Sequence, residues 1–210
     1  MKRPIFMSTL LATTVGAGFL INTGIAQSQA WFAKQKCVRC DLTRIDLEHR
    51  DLQNINFRGT NFTFANLKES NLSGANLSGA RLIQAKLTKA NLSGANLDAA
   101  NVVKADMRDV NFQGASLQSA RVTLTNLNGA QFMNAKMRGI NFTGTDLKNA
   151  DLRNSDLFTA NFSNADCRNA NFSGANLQGA NLSTADLRGT NLVGANLKNA
   201  TLPAGFQAPP

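Results

Sequence analysis

The amino-acid sequence predicts an elongated repeat solenoid, and three regularities in residues 41–202 support this fold class. A bulky apolar residue recurs at every fifth position from Leu42 to Leu202 without a change of register. A small residue, usually Ala, lies two positions before each bulky residue, and the position between them is Asn or Asp in 26 of 33 units. This period matches neither an amphipathic helix nor an alternating strand, whereas short strict repeats are typical of solenoids.

The repeat unit reads Ala-Asn-Leu-Ser-Gly at residues 75–79 and again at 175–179. This unit resembles that of the pentapeptide-repeat family, and the resemblance covers residues 40–202. It implies an all-β fold, the right-handed quadrilateral parallel β-helix, in which four pentapeptides complete one square coil. With coils spaced about 4.8 Å apart, about eight coils would form a rod about 40 Å long. We therefore expect the β-helix to occupy residues 41–202.

Glycine marks the positions at which the backbone is expected to turn. It lies two positions after the bulky residue in 12 of the 33 units, as at Gly59 and Gly94. Because glycine adopts a positive φ without steric cost, we expect a left-handed turn residue at this place in each unit.

Residues 1–30 have the layout of a secretory signal peptide. Lys2 and Arg3 precede an apolar, uncharged stretch over residues 5–21, and residues 28–30 supply small side chains at offsets suited to cleavage. A second cleavage position follows Ala26. The alternative is an uncleaved membrane anchor, although the apolar stretch is short for a membrane-spanning helix. The pattern predicts export, to a periplasm or a thylakoid lumen.

Residues 31–40 are predicted to form an N-terminal cap. A β-helix leaves an open edge at its end, and natural solenoids cover such edges. The stretch QAWFAKQK can form a short helix that carries Trp31 and Phe32. We expect this capping helix to cover the open end of the apolar core.

Cys37 and Cys40 lie at positions in phase with the inward-facing residues of the first repeat. In an oxidising compartment we expect a local disulfide between them. A thioredoxin-like redox motif and half of a metal site are the alternatives. Exported pentapeptide-repeat proteins of photosynthetic organisms look similar, with a short helix and Cys-x-x-Cys-Asp-Leu at the first coil, although Val38-Arg39 here replaces Pro-Gly.

The chain ends in a short tail, residues 203–210. Pro203 cannot donate to a further β-ladder and is expected to stop the repeat. Phe206 is then available to fold over the final coil. The tail is too short for a substantial dimerisation helix, so a monomer or an end-to-end dimer is expected.

The chain is basic, and its charge limits the partners that it can bind. The formal net charge of +9 falls to +7 when Lys2 and Arg3 are removed with the signal peptide. Export argues against nucleic acid and favours acidic proteins, anionic polymers or an anionic membrane surface. We expect a protein partner, with membrane contact only through an uncleaved signal segment.

The amino-acid composition gives little indication of an enzyme. There is one His and no Tyr, and no Ser/His/Asp arrangement, phosphate-binding loop or cluster of metal ligands is recognisable. His49, beside Asp46 and Glu48, is interpreted as a solvated surface residue. The prediction is a non-enzyme with no cofactor, no metal and no catalytic residue.

Two residues depart from the repeat in the core. Cys167 occupies a bulky position, where it is expected to be an inert buried thiol. Arg50 occupies a small-residue position, where a buried guanidinium would need a partner. We expect Arg50 to reach solvent through a loosened first coil.

Charged pairs recur at corresponding places on three successive coils. Exposed pairs contribute little individually, so we interpret them as features of solubility and register. The pairs are Asp146/Lys148, Asp166/Arg168 and Asp186/Arg188.

One face differs from the others in its apolar content. Its row of residues after the bulky position is β-branched over six coils and continues as Ser163 and Ser183. An apolar patch rimmed by cations predicts a docking surface, although β-branched residues also suit strand positions generally. The predicted interaction residues are Phe64, Arg81, Ile83, Val103, Lys104, Arg121 and Leu124.

Three functions are compatible with these patterns. The favoured one is an exported, non-enzymatic structural or protein-interaction scaffold. The second resembles pentapeptide-repeat proteins that imitate DNA and bind gyrase, but those use an acidic surface in the cytoplasm. The third is binding to ice or another crystalline surface through the Thr/Ile/Val/Ser row, which the irregular neighbouring positions disfavour, as at Arg44, Gln84 and Lys104.

Overall fold

A computed structural model of the protein describes residues 37–207, which lie in a parallel β-helix. Its β-structure consists of single bridging residues at every fifth position from Asp41 to Thr201, and each bridge joins, in parallel, two residues that are 20 positions apart. Four pentapeptides therefore complete one coil. The predicted signal peptide and capping helix lie outside the described residues. Residues 37–207 contain no helix of the length and apolarity needed to cross a membrane.

Each pentapeptide places its five residues in the same five environments, as residues 80–84 illustrate. Ala80 and Leu82 are buried in the core, and Arg81 between them is the outward-facing bridging residue. Ile83 and Gln84 form the turn at the corner of the coil. The inward and outward positions predicted from the five-residue period are confirmed.

Most corners are tight turns closed by a backbone hydrogen bond. At residues 72–75 the Ala75 N–H donates to the Leu72 carbonyl at 3.0 Å, and Gly74 has a φ of +65°. A positive φ at the third residue is the signature of a type II turn. The expectation that glycine marks this position is confirmed, and Asn, which also tolerates positive φ, occupies many of the other corners.

One corner departs from this geometry. Thr184 occupies the second turn position but does not have a positive φ. Its Oγ1 accepts a hydrogen bond of 2.9 Å from the Asn164 N–H, which in the other coils would bond a backbone carbonyl. The hydroxyl therefore replaces a carbonyl in the ladder at this point.

Backbone hydrogen bonds satisfy four of the five N–H groups in a pentapeptide. In the unit at 81–85, Arg81 donates to the preceding coil, Leu82 and Gln84 donate to the following coil, and Ala85 closes the turn. Only the first turn residue has no backbone acceptor. In most units the side chain of the bridging Asn or Asp accepts from it, as Asn91 Oδ1 does from the Ser93 N–H at 3.1 Å. This capping bond explains the preference for Asn and Asp at the bridging position.

Apolar side chains stack along the inside of the helix. The rings of Phe112 and Phe132, one coil apart, lie 4.8 Å apart and almost parallel, and Phe142 continues the packing at 6.0 Å from Phe132. Buried hydroxyls in small-residue positions are satisfied by carbonyls, as Ser155 Oγ is by Leu152 at 2.7 Å. Arg50 is exposed, as predicted.

The predicted disulfide is present at the N-terminal end of the described chain. Cys37 and Cys40 are bonded, with their Cα atoms 5.4 Å apart. Both residues belong to the coil, because the Cys37 N–H donates to the Asn56 carbonyl at 2.8 Å and the Asn61 N–H donates to the Cys40 carbonyl at 2.9 Å. At the other end, Phe206 packs against the hydrophobic core.

We expect one titratable thiol, Cys167, in denatured but unreduced protein, and three thiols after reduction. In the native protein no thiol should react with an aqueous reagent, because Cys167 is buried. Thiol titration of protein purified from its own compartment checks both expectations. Three thiols before reduction would contradict a disulfide between Cys37 and Cys40.

Replacement of Leu117 by Ala should lower the free energy of unfolding by about 2–5 kcal/mol, because the side chain is only 2% exposed and its removal leaves a cavity. The matched control is Leu124→Ala, whose side chain is 58% exposed and should change the free energy by about 0.5 kcal/mol or less. Urea unfolding followed by circular dichroism measures both. Equal losses in the two variants would refute the predicted difference between core and corner.

Candidate functional site

The seven predicted interaction residues lie together at one corner of four successive coils. The bridging residues Arg81, Asn101 and Arg121 stack in register. The turn residues 63–64, 83–84, 103–104 and 123–124 form the corner beside them, which we call the first corner. From the coil of Phe64 to that of Leu124 there are three coil steps, about 14 Å.

The first corner contains a shallow groove that runs along the axis of the solenoid. Its floor is the row of first turn residues, in which Ile83 and Val103 are half-buried and Thr123 is buried. One wall contains the exposed second turn residues, and Phe64 and Leu124 are 44% and 58% exposed there. The other wall is the row of bridging residues. We refer to this feature as the groove.

Residues of neighbouring coils position the two apolar side chains at the ends of the groove. The Arg44 guanidinium lies over the Phe64 ring, with Cζ 5.5 Å from the ring centroid. Leu124 Cδ2 lies so close to Gly144 that a Cβ atom on that glycine would be 2.8 Å away. The roles of Arg44 and Gly144 were missed by the sequence analysis, although both lie in the second-turn row, 20 residues from Phe64 and Leu124.

The groove interrupts a hydrogen-bond pattern that is present on either side of it. On the flanking coils, Asn Oδ1 accepts from both the N–H and the hydroxyl of the residue two positions later. These pairs are Asn61/Thr63, Asn141/Thr143, Asn161/Ser163 and Asn181/Ser183. In the three coils between Asn61 and Asn141, the corresponding pairs are Arg81/Ile83, Asn101/Val103 and Arg121/Thr123.

These three middle coils leave polar groups without partners. Within residues 37–207 the N–H groups of Ile83, Val103 and Thr123 have no hydrogen-bond acceptor. Asn101 Oδ1 is buried and accepts no hydrogen bond. A buried polar atom without a partner, such as Asn101 Oδ1, is rare in folded proteins and requires an explanation.

The cations around the groove differ from those elsewhere on the rod. Among residues 37–207 no ion pair forms with Arg81, Lys104 or Arg121. Lys86, the exposed bridging residue just beyond the first corner, also has none. Lys86 was not among the residues predicted from the sequence.

The basic residues Lys148, Arg168 and Arg188 of the second face are, by contrast, paired with carboxylates, and the predicted ladder of charges is confirmed. Lys148 Nζ lies 3.1 Å from Asp146 and 3.9 Å from Asp166. Arg168 lies 2.7 Å from Asp166 and 3.7 Å from Asp186. The ladder therefore connects successive coils and leaves little net charge for a partner.

The charged ladder shifts the pKa values of its own carboxylate Asp186 and of the buried Cys167 thiol. The hydrogen bond from Arg188 is the main cause that lowers the pKa of Asp186 to about 2. Burial is the main cause that raises the pKa of the Cys167 thiol, and the nearby carboxylates raise it further. Cys167 is therefore an inert core thiol, as predicted.

Other polar or aromatic groupings are small. His49 is exposed and lies 3.2 Å from Glu69 and 3.9 Å from Glu48. Residues 37–207 contain no group of three potential metal ligands. The Arg138 guanidinium stacks on the half-buried Phe158 ring at 4.4 Å, a contact that the sequence analysis missed.

Comparisons with known proteins agree with the repeat pattern. The Pentapeptide repeats family matches in eight copies, over residues 40–79, 75–114, 90–129, 125–164 and 165–202. Members of this family fold as right-handed quadrilateral β-helices. A comparison with curated protein sequences gave no significant match.

Similar solved structures are pentapeptide-repeat proteins and QnrB1, a plasmid-mediated fluoroquinolone resistance protein. Trypsin-treated QnrB1 is 19% identical, with a TM-score of 0.67 over 79% of this chain and 90% of that chain. HetL of the cyanobacterium Nostoc is 27% identical, with a TM-score of 0.41 over 89% of this chain and 100% of that chain. A protein of the Arabidopsis thaliana thylakoid lumen is 28% identical, with a TM-score of 0.29 over 58% and 71%. The likeness to QnrB1 concerns the fold alone.

We expect the Asp186 carboxyl to titrate at about pH 2, and its pKa to rise toward 3.8 in the Arg188→Gln variant, which lacks the main hydrogen-bond donor. Because the folded-state pKa is lowered, this carboxylate stabilises the fold above about pH 4 and loses that effect as the pH falls toward 2. Carbon-13 NMR of the carboxyl groups measures the midpoint. Arg153→Gln is the control and should leave Asp186 unchanged, while an unchanged midpoint in Arg188→Gln would contradict the assignment.

Proposed function

This chain belongs to the pentapeptide-repeat family, and we propose that it is an exported, non-enzymatic scaffold that binds a protein through the groove. The observation that carries this proposal is the loss of the Asn–Ser/Thr pair in three successive coils. Above and below the groove the pair stabilises the turn. Loss of this stabilising pair at three adjoining places is expected where a partner, and not the coil, determines the residues.

The exposed groups of the groove indicate the chemistry of the partner. Phe64 and Leu124 offer apolar contact area at its two ends, and exposed apolar groups rimmed by polar residues are typical of interaction sites. Within residues 37–207 Arg81, Lys104 and Arg121 beside them form no ion pair, so their charge is available to a partner. We therefore propose an acidic protein that carries exposed apolar side chains.

Two features of the chain support the proposal that it is exported. The signal-peptide pattern of residues 1–30 predicts translocation, to a periplasm or a thylakoid lumen. The disulfide between Cys37 and Cys40 is compatible with an oxidising compartment and uncommon in a reducing one. A partner in such a compartment is a protein and not a nucleic acid.

The two alternative functions have less support. A DNA-mimicking role needs an acidic surface, whereas this chain has a formal net charge of +9. Ice binding would use the hydroxyl row of the first corner, but the hydroxyls of Thr63 and Thr143 donate to Asn oxygens of their own units. A row that is already hydrogen-bonded within the protein is poorly suited to order water.

Affinity capture from the native compartment tests the scaffold function. We expect the wild-type protein to retain an acidic protein that the F64S/I83S/L124S variant loses by about tenfold or more, because the variant lacks the apolar surface of the groove. The purified partner should then show the same difference in direct calorimetric binding.

The matched control is the M133S/V193S variant, which changes apolar turn residues on another face of the rod. It should retain the partner as the wild type does. Undiminished capture by F64S/I83S/L124S, with all three proteins equally folded by circular dichroism, would remove the groove from the function.

A further inference from the structure

The floor of the groove carries three backbone donors in a row. The unpaired N–H groups of Ile83, Val103 and Thr123 belong to first turn residues of successive coils, so they recur about 4.8 Å apart along the groove. Uncapped N–H groups of this type also occur on other corners, as at Thr88 and Met133, but within residues 37–207 three on successive coils occur at the first corner alone. A row of three such donors is therefore a property of the groove.

The bridging residues explain why these three N–H groups have no side-chain acceptor. Arg81 and Arg121 have no carbonyl or carboxylate oxygen in the side chain and cannot accept from the turn. Asn101 has such an oxygen, but this atom is buried and accepts no hydrogen bond within residues 37–207. The three N–H groups therefore lack an acceptor within residues 37–207 and can donate to a group outside the chain.

Another corner of the same protein shows which group satisfies such a donor. In the unit at 116–120 the bridging residue is Ser116, so the Gln118 N–H has no cap of its own. The Asp98 carboxylate of the preceding coil accepts from this N–H at 2.9 Å and from Ser116 Oγ at 2.6 Å. A carboxylate that does not belong to the pentapeptide can therefore occupy the capping place.

We propose that the floor of the groove is a carboxylate-binding subsite, an inference that rests on the proposed scaffold function. An Asp or Glu carboxylate of the protein partner accepts hydrogen bonds from the Val103 N–H and a neighbouring floor N–H. Arg81 and Arg121, one coil to either side, form ion pairs with it. Backbone donors combined with guanidinium groups favour an anionic acceptor over a neutral one.

The groove also restricts the shape of the segment that binds. Phe64 and Leu124 lie about 14 Å apart on either side of the proposed subsite, and an extended chain covers this distance in about four residues. An extended segment with apolar residues at both ends and carboxylates between them matches this order. The occupant is thus a short acidic stretch of the partner that lies along the rod.

Two double variants, compared with a third as control, separate the role of the backbone N–H groups from that of the positive charge. R81Q/R121Q removes both cations and leaves the Ile83 and Thr123 N–H groups uncapped. R81N/R121N removes the same charge but supplies the Asn oxygen that caps these N–H groups in other units, as Asn91 does for Ser93. The K136Q/K198Q variant is the control, because it removes two exposed cations from another face.

The probe is a fluorescein-labelled, N-acetylated peptide, Leu-Asp-Glu-Asp-Leu, and fluorescence anisotropy measures its binding. We expect saturable binding to the wild type and to K136Q/K198Q, about tenfold weaker binding to R81Q/R121Q, and a further loss of about threefold in R81N/R121N. In the wild type, the amide proton resonances of Ile83, Val103 and Thr123 should move downfield as the peptide is added.

Several results would overturn the subsite. These are equal affinities of the Asn and Gln variants, unmoved amide resonances, equally tight binding of a Leu-Asn-Gln-Asn-Leu peptide, or no saturable binding by about 1 mM. Displacement of the peptide by phosphatidylglycerol vesicles at lower anion concentration would overturn a protein occupant. If R81N/R121N still captured the native partner that F64S/I83S/L124S loses, the subsite would be rejected and the scaffold function would stand.

Discussion

The need to satisfy the five backbone N–H groups of a pentapeptide is the constraint on which this structure depends. In most units neighbouring coils and the turn accept from four of them, and the side chain of the bridging residue accepts from the fifth. A coil can repeat without a helix or a long strand because stacked units complete this set for one another. The same requirement explains why Asn and Asp recur at the bridging position, and why glycine or Asn is frequent at the left-handed turn.

In a solenoid of this kind, we expect functional residues at the positions where the sequence departs from the repeat. At the first corner, three consecutive units replace the capping pair with Arg, apolar side chains or an unpaired Asn, and the floor N–H groups are left open. The charged ladder on the second face shows the opposite arrangement, since its Asp and Lys or Arg side chains neutralise one another across coils. The two charged surfaces therefore differ in what they can bind. The charges of the ladder neutralise one another, whereas the groove can offer its charge and its N–H donors to a second molecule.

Much of this architecture could be predicted, because a period of five in a four-sided coil determines which residues are vertical neighbours. The inward positions and the turn glycines followed from register, the disulfide between Cys37 and Cys40 from register and an oxidising compartment, and the exposure of Arg50 from the cost of burying its charge. The side-chain contacts between vertical neighbours did not follow from the register. Gly144 beneath Leu124 and Arg138 on Phe158 lie one coil apart, but these contacts depend on how each side chain leaves its turn, which the register does not specify.

The sequence by itself determined the solenoid, its phase and the residues gathered at the first corner, because strict repetition turns a position in the chain into a position on the rod. Only the tertiary structure decided which of those residues have partners. Whether Arg81 and Arg121 form ion pairs, whether Asn101 caps Val103 and whether Ile83 is half-buried depend on how the side chains of adjacent coils are placed. Hydrogen bonds and ion pairs weaken steeply with distance and angle, so the open donors of the groove appear only once the coils are stacked.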